Sequence, residues 1–279
     1  MRKIERNDFI SRIKSELIDS AYYLPSSVLE LIKKGRDQEV REMSKHILDQ
    51  IVENEAIART EHIPLCQDTG VAIVTLKIGC EVSFDFLIED AVNVAVREAY
   101  QEGYLRKSVV DHPLSRKNTL DNTPAIVHIK QALGDQVEIY VAPKGAGSEN
   151  MSRLSMLSPS AGKEGIINFV LETVKLAGGK ACPPIILGIG IGGNFEKSAL
   201  IAKEALFREL DDEAENPVDR ELEKELFEKV NLLNVGPMGL GGVTSCLAVK
   251  VNSYPCHIAS LPVAVNIQCH SARKRHFFL

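Results

Sequence analysis

Apolar residues recur every three to four positions through the first sixty residues, and that period predicts helices. Phe9, Ile10, Ile13, Leu17 and Ile18 fall on one face of a first helix that Asn7 or Asp8 can cap. After Pro25, Ser26 starts a second helix through Leu29, Leu31 and Ile32. A third is expected from roughly Gln38 to Ala58, with Met43, Ile47, Ile51 and Ile57 at helical spacing. This opening reads as scaffold or subunit contact, and His46 and His62 within it as surface or capping groups. The pattern then changes. Val71 to Ile78 is an apolar run short enough for a buried strand, and a long amphipathic helix follows from about Phe84 to Glu102, stopped by Gly103. Arg106 to Asn122 is polar and reads as loop. Strands at about Ala125 to Lys130 and Val137 to Val141, separated by Gly134-Asp135, predict a hairpin.

In the second half, Ser160 is placed to cap a helix through Ile166, Phe169, Val170 and Val174. The run Ile185 to Ile191 predicts a buried strand, followed by Gly192-Gly193-Asn194 and a helix through Ala199, Ile201 and Ala205. Strand, glycines and helix suggest a dinucleotide site, but the spacing of Gly188, Gly190, Gly192 and Gly193 does not fit the fingerprint. A tight helix–strand packing turn is the better reading. Asp211 to Asn216 is an acidic loop, and Pro217 and Asp219 open a charged helix to about Leu233. Gly236 to Gly242 reads as a flexible or anion-facing loop, and Val243 to Val251 and His257 to Ile267 as strands. The basic and aromatic end, Ala272 to Leu279, reads as a docking tail or a frayed terminus. The fold class expected is α/β (α+β): a helical region over 1–60, then a mixed β-sheet with flanking helices over 61–279, together one domain.

A chain of 279 residues with 44% hydrophobic and 25% charged residues has the composition of a soluble globular protein with a substantial core. A formal charge of −5 argues against general nucleic-acid binding, which needs a basic face. No apolar run is long enough to span a bilayer, and Met1 to Arg6 lacks the apolar core of a signal peptide, so a cytoplasmic location is expected. Six cysteines in such a chain are expected to be thiols rather than disulfides. Cys80, Cys246 and Cys256 read as small buried hydrophobes.

Candidate chemistry concentrates in Pro64-Leu65-Cys66-Gln67-Asp68-Thr69-Gly70, where a thiol, an amide, a carboxylate and a hydroxyl stand on successive positions before a strand. Cys182, in Ala-Cys-Pro-Pro, and Cys269, in Gln-Cys-His, have similarly unusual neighbours. No Cys-x-x-Cys occurs, which disfavours zinc ribbons and ferredoxin-like clusters. Three thiolates on a cubane leave one iron open to act as a Lewis acid. On the spacing alone, three scattered core cysteines are the better explanation, because such cysteines are common in buried cores. Pro143 to Asn150 offers glycines, Lys144 and Ser148 to a bound anion, though such a loop is commonly only a turn. By the same reasoning Asp68 is a turn cap, Arg106 a solvated helix cap and His257 a core histidine at a strand start.

Four stretches occur in order: Pro-Leu-Cys-Gln-Asp-Thr-Gly around Cys66, Gly-Ser-Glu-Asn-Met-Ser from Gly147, Ala-Cys-Pro-Pro around Cys182, and Ala-Ser-Leu-Pro-Val-Ala-Val-Asn-Ile-Gln-Cys-His up to Cys269. Together they resemble the class I, iron–sulfur-dependent fumarate hydratases and the related L-tartrate dehydratases. The resemblance implies a [4Fe-4S] cluster on Cys66, Cys182 and Cys269, with one iron not ligated by protein. It implies that Gln67 and Asp68 face the substrate, with Asp68 in acid–base work at a raised pKa, and that Arg106 binds a substrate carboxylate. It also implies that Gly145 or Gly147 approaches substrate through its backbone and that His257 lies beside it as a catalytic group.

The family has a second, swivelling domain, so the chain looks like the alpha subunit of a two-subunit enzyme, completed by a beta subunit in an α2β2 assembly. The reaction implied is reversible hydration of fumarate to L-malate, a step of the tricarboxylic acid cycle, with L-tartrate dehydration as the alternative. From another class, a non-catalytic iron–sulfur redox sensor or carrier remains open, as does nucleotide binding at Gly188 to Gly193.

Overall fold

The computed structural model describes residues 1–279. The chain begins β1 (Arg2–Lys3), α1 (Arg6–Tyr22), α2 (Ser26–Gln38), α3 (Glu42–Glu61), β2 (Val71–Gly79), β3 (Val82–Ser83) and α4 (Ile88–Glu102). It continues β4 (Ile126–Ala132), β5 (Val137–Lys144), the single turn α5 (Ala146–Glu149), β6 (Arg153–Leu157) and α6 (Gly162–Ala177). The last elements are β7 (Ile185–Gly192), α7 (Phe195–Ala205), α8 (Pro217–Asn231), β8 (Cys246–Tyr254), β9 (Leu261–Gln268) and β10 (Arg275–Phe278). Helices flank mixed sheets, so the α/β class expected from the pattern holds. No helix is long and apolar enough to cross a membrane. The chain forms two compact units: residues 1–24, 54–146 and 273–279 make the first, and 25–53 and 147–272 the second.

The first unit is built on a four-stranded sheet in the order β10-β5-β2-β4. Its core joins Phe9, Ile13 and Leu17 of α1, Val92, Val96 and Tyr100 of α4, and Val74, Leu76 and Ile139 of the sheet. The expected hairpin is corrected here. β4 and β5 are not paired; β2 lies between them, parallel to β4 and antiparallel to β5. The link through Gly134-Asp135 instead passes around the end of β2, where Gly79 N donates to Gln136 O at 2.9 Å and Glu81 N to Gly134 O at 2.9 Å. A Cβ on Gly79 would stand 2.3 Å from Gly134 O, so this wrap requires glycine. The C-terminal end is a second correction. β10 pairs antiparallel with β5, and Phe277 enters the core while Phe278 stays exposed. Leu279 and Val137 exchange backbone hydrogen bonds of 2.9 and 3.3 Å, which extend that ladder.

The second unit has a four-stranded sheet in the order β6-β9-β7-β8, with β7 parallel to β8 and antiparallel to β9. Ile167 and Val170 of α6 and Leu226 and Val230 of α8 pack on Leu187, Ile189 and Val265 of the sheet. Asn194 Oδ1 accepts from Lys197 N at 2.8 Å and starts α7; Asn216 Oδ1 accepts from Val218 N at 2.9 Å and starts α8. The glycines of β7 serve helix packing, as expected. A Cβ on Gly188 would lie 2.2 Å from Ala202 O, and one on Gly190 would lie 2.0 Å from Ser198 O, both on α7. Gly190→Ala is therefore expected to destabilise the chain by about 1–3 kcal/mol through overpacking. Chemical denaturation checks this, and an unchanged midpoint would refute the close approach.

Candidate active site

The Cys66 turn belongs to the first unit, and the carbonyl groups of Asp68, Thr69 and Gly70 each have a specific partner. Tyr100, buried on α4, donates its hydroxyl to Thr69 O at 2.6 Å and Gly70 O at 3.1 Å. Burial pushes the Tyr100 phenol well above its ordinary range, so it stays a donor. Asn122 Nδ2 donates to Gly70 O at 3.1 Å, while its Oδ1 accepts from Ser108 N at 2.7 Å. Gly70 itself has φ +71°, and a Cβ there would stand 2.4 Å from Lys144 C and O. The turn is thus clamped by side chains from a helix and a loop, and only glycine can close it against β5.

Asp68 is fixed at both ends. Its Oδ1 accepts from Gly70 N at 3.2 Å and its Oδ2 from Ala146 N at 2.8 Å. Its carbonyl oxygen accepts from Arg273 Nη2 at 2.6 Å. The glycine-bearing loop after β5 therefore does face an anion, the chain's own Asp68 carboxylate. Lys144 is buried at the end of β5 rather than displayed from the loop. The two glycines differ: a Cβ on Gly145 would be 2.9 Å from Asp68 Oδ2, whereas Gly147 is exposed and a Cβ there would meet only Lys180 O at 3.6 Å.

Arg106 sits beside the turn because Thr69 Oγ1 donates to its carbonyl oxygen at 2.6 Å. Its side chain is exposed. The loop that follows is pinned by Asp121, whose carboxyl lies at about 2: burial raises it, but hydrogen bonds from Thr123 and the guanidinium of Arg97 outweigh that. Gln67 is exposed, with Oε1 3.5 Å from Cys66 Sγ.

In the second unit Cys182 has a left-handed backbone, φ 51° and ψ 62°, immediately before Pro183. Its carbonyl oxygen accepts from both His270 N at 3.3 Å and His270 Nδ1 at 2.9 Å. The residue after Cys269 is thereby tied to Cys182, so the structure brings these two stretches together. A carbonyl can only accept, which places the His270 proton on Nδ1. Gln268 Nε2 stands 3.4 Å from Cys269 Sγ and donates to Ser271 O at 3.1 Å, holding the turn after β9. Glu149 anchors the Gly147–Ser152 stretch by accepting from Lys203 Nζ at 2.5 Å and Asn266 Nδ2 at 2.9 Å. Within neither unit do three cysteine, histidine or carboxylate side chains converge as a metal-holding group.

The cysteines sort by environment. Cys66, Cys182 and Cys269 are half-buried at turns. Cys246 is buried, and burial pushes its thiol up to about 12. Cys80 and Cys256 are exposed, which corrects the expectation that they are core hydrophobes: one lies in the turn after β2, the other in the loop before β9. That loop also holds His257, which is exposed rather than a core residue of a strand. Its Nδ1 accepts from Ala259 N at 3.1 Å, so the neutral ring carries its proton on Nε2.

Tyr100, Asn122, Gln268, His270 and Arg273 hold these turns and were not singled out from the sequence. A hydroxyl on the buried stripe of α4 is the one signal that could have flagged Tyr100, since a buried phenol needs a partner.

A polar turn braced in front of a buried strand suits an enzyme built on a rigid scaffold, and comparison with known proteins places the chain among the hydro-lyases. It belongs to the fumarate hydratase (fumerase) family, whose model matches residues 10–277. A relative from Methanocaldococcus jannaschii, named "Putative L(+)-tartrate dehydratase subunit alpha", is 45% identical over 273 residues, covering 95% of each chain. An Escherichia coli (strain UTI89 / UPEC) protein named L(+)-tartrate dehydratase subunit alpha is 32% identical over 254 residues, covering 90% of this chain and 84% of its own. One of the same name from Shigella boydii serotype 4 matches to the same extent.

Proposed function

We propose that the chain is the cluster-bearing alpha subunit of a cytoplasmic [4Fe-4S] hydro-lyase, acting with a separate beta subunit in an α2β2 assembly. The reaction is reversible hydration of fumarate to L-malate, the tricarboxylic acid cycle step. Dehydration of L-tartrate is the second reading, and the names of the relatives favour it. Both substrates are four-carbon dicarboxylates, so the same groups serve either.

One observation supports the reading above others: of six cysteines, the three in the family stretches are half-buried at braced turns, while the other three are core or surface. That donor set fits a group needing three thiolates, and Cys66, Cys182 and Cys269 would hold it. Bound there, the cluster supplies a Lewis-acidic iron for the substrate's hydroxyl and carboxylate. The exposed Arg106 guanidinium receives the far carboxylate, for which a planar fork is suited. Asp68, held by two backbone N–H groups, moves the proton; Gln67 and Gly145 line the approach, and His257 offers Nε2–H.

Iron and sulfide content of the anaerobically purified two-subunit enzyme tests the ligand set. Loss is expected in Cys66→Ser, Cys182→Ser and Cys269→Ser, and retention in Cys80→Ser. Retained cluster in any of the first three removes that ligand. Turnover on malate, fumarate and tartrate then selects the substrate, and a full cluster with no turnover on any would return the reading to a sensor or carrier.

A further inference from the structure

Arg273 is the one buried arginine, and most of its guanidinium is unpartnered. Its side chain is only 3% exposed, yet Nε and Nη1 have no hydrogen-bond partner. Only Nη2 is used, and its acceptor is a carbonyl oxygen, that of Asp68, at 2.6 Å. A guanidinium stays charged at any working pH, so burying it with two nitrogens unpaired is costly. Arg273 and Asp68 crowd the same point: a Cβ on Gly145 would lie 2.9 Å from Asp68 Oδ2 and 3.5 Å from Arg273 Nη2. A fixed positive charge thus stands beside the backbone of the Cys66–Asp68 turn. In the chain it follows Cys269 by four residues.

We propose that Arg273 is a positioning residue for the Cys66–Asp68 turn: Nη2 fixes the main chain at Asp68, and the enclosed guanidinium charge raises the potential of the turn toward the anionic cluster it binds. The inference rests on the cluster reading above. Both effects act through the turn, since the unpaired nitrogens are enclosed. The fork supplies geometry and the charge supplies potential, so two substitutions separate them. Arg273→Lys keeps the charge and loses the fork, and Arg273→Met loses both.

The test uses the reconstituted two-subunit enzyme as wild type, Arg273→Lys and Arg273→Met. Iron and sulfide per chain, the cluster's midpoint potential, kcat and KM are measured on each. Misplacing Asp68 is expected to lower kcat roughly tenfold to a hundredfold in both variants, with KM moving less. The midpoint potential is expected to shift negative in Arg273→Met and stay near wild type in Arg273→Lys, because removing a positive charge disfavours the reduced cluster. A purely structural role gives the opposite sign, since water entering a loosened site favours the more highly charged reduced form. A positive or absent shift in Arg273→Met, an unchanged kcat in both variants, or failure of both to fold would overturn the proposal. If Arg273→Met alone fails to fold, the Lys variant decides: lowered kcat at wild-type potential supports it, and any other result overturns it. Wild-type enzyme without iron would sink the cluster reading, and this inference with it.

Discussion

Replacing Asp68 with asparagine is expected to lower kcat by about 10²–10⁴-fold, the span that general acid–base catalysis contributes, while iron content and KM change little. The side chain keeps its shape, so the Gly70 N–H can still bond Oδ1, a 3.2 Å contact in the wild type. What is lost is the carboxylate's capacity to take or give a proton. At the other oxygen, an amide nitrogen would face Ala146 N–H, which now donates to Oδ2 at 2.8 Å, so that contact is lost. Removing one charge-assisted bond costs about 1.5–3 kcal/mol, which the Tyr100, Asn122 and Arg273 clamps on the same turn are placed to absorb. Asp68→Ala separates cap from catalyst, because it removes both functions. Steady-state kinetics beside iron analysis checks the prediction. Wild-type kcat in Asp68→Asn would leave Asp68 as a turn cap only.

The turn was legible in the sequence; the groups that brace it were not. Four chemically distinct polar residues before an apolar strand form a local pattern, visible without knowing what lies around them. Its braces come from 30 to 205 positions away, as with Tyr100 and Arg273, and no local pattern encodes such pairings. The same limit explains the hairpin. Gly134-Asp135 is a genuine turn, but whether its flanking strands pair depends on β2, which takes the place between them. β10 escaped because four residues alternating inward and outward are too short to stand out from a basic tail. By contrast, Gly188 and Gly190 were readable: glycines at a spacing of two on a strand leave one face bare, and α7 fills it. The two glycine loops were half read. Each does face an anion, and in each case the anion belongs to the chain: Asp68 for the loop after β5, and Glu39 for the residues closing the loop before β8.

Removing the Glu39 carboxylate is accordingly expected to cost about 2–4 kcal/mol of stability, from charge-assisted bonds worth about 1.5–3 kcal/mol each less partial replacement by water. Glu39 is 2% exposed and carries no cationic partner in its hydrogen bonds. Its Oε1 accepts from Val40 N at 2.9 Å and Arg41 N at 3.3 Å, and its Oε2 from Val243 N at 3.0 Å and Thr244 N at 3.1 Å. Burial alone would raise its pKa, but these backbone donors outweigh burial and hold it below the usual 4.5. A depressed folded-state pKa contributes stability that is complete above the unfolded-state value and is lost as pH falls through the folded one. The gap in denaturation midpoint between wild type and Glu39→Gln should therefore be widest near neutrality and narrow below about pH 4.5. A gap independent of pH would mean that packing, not charge, holds the loop. The consequence reaches the candidate site within the same unit. The loop that Glu39 anchors contains Met238, whose N–H donates to Pro183 O at 2.8 Å, next to Cys182. Gly179, one turn before Cys182, lies so close to Met238 that a Cβ there would stand 2.7 Å from its carbonyl oxygen. Loosening the 236–244 loop should free the Cys182 turn, so Glu39→Ala is expected to speed amide hydrogen exchange at residues 179–183 as well as at 236–244. Exchange that rises only in the second segment would show that the Cys182 turn stands without this support.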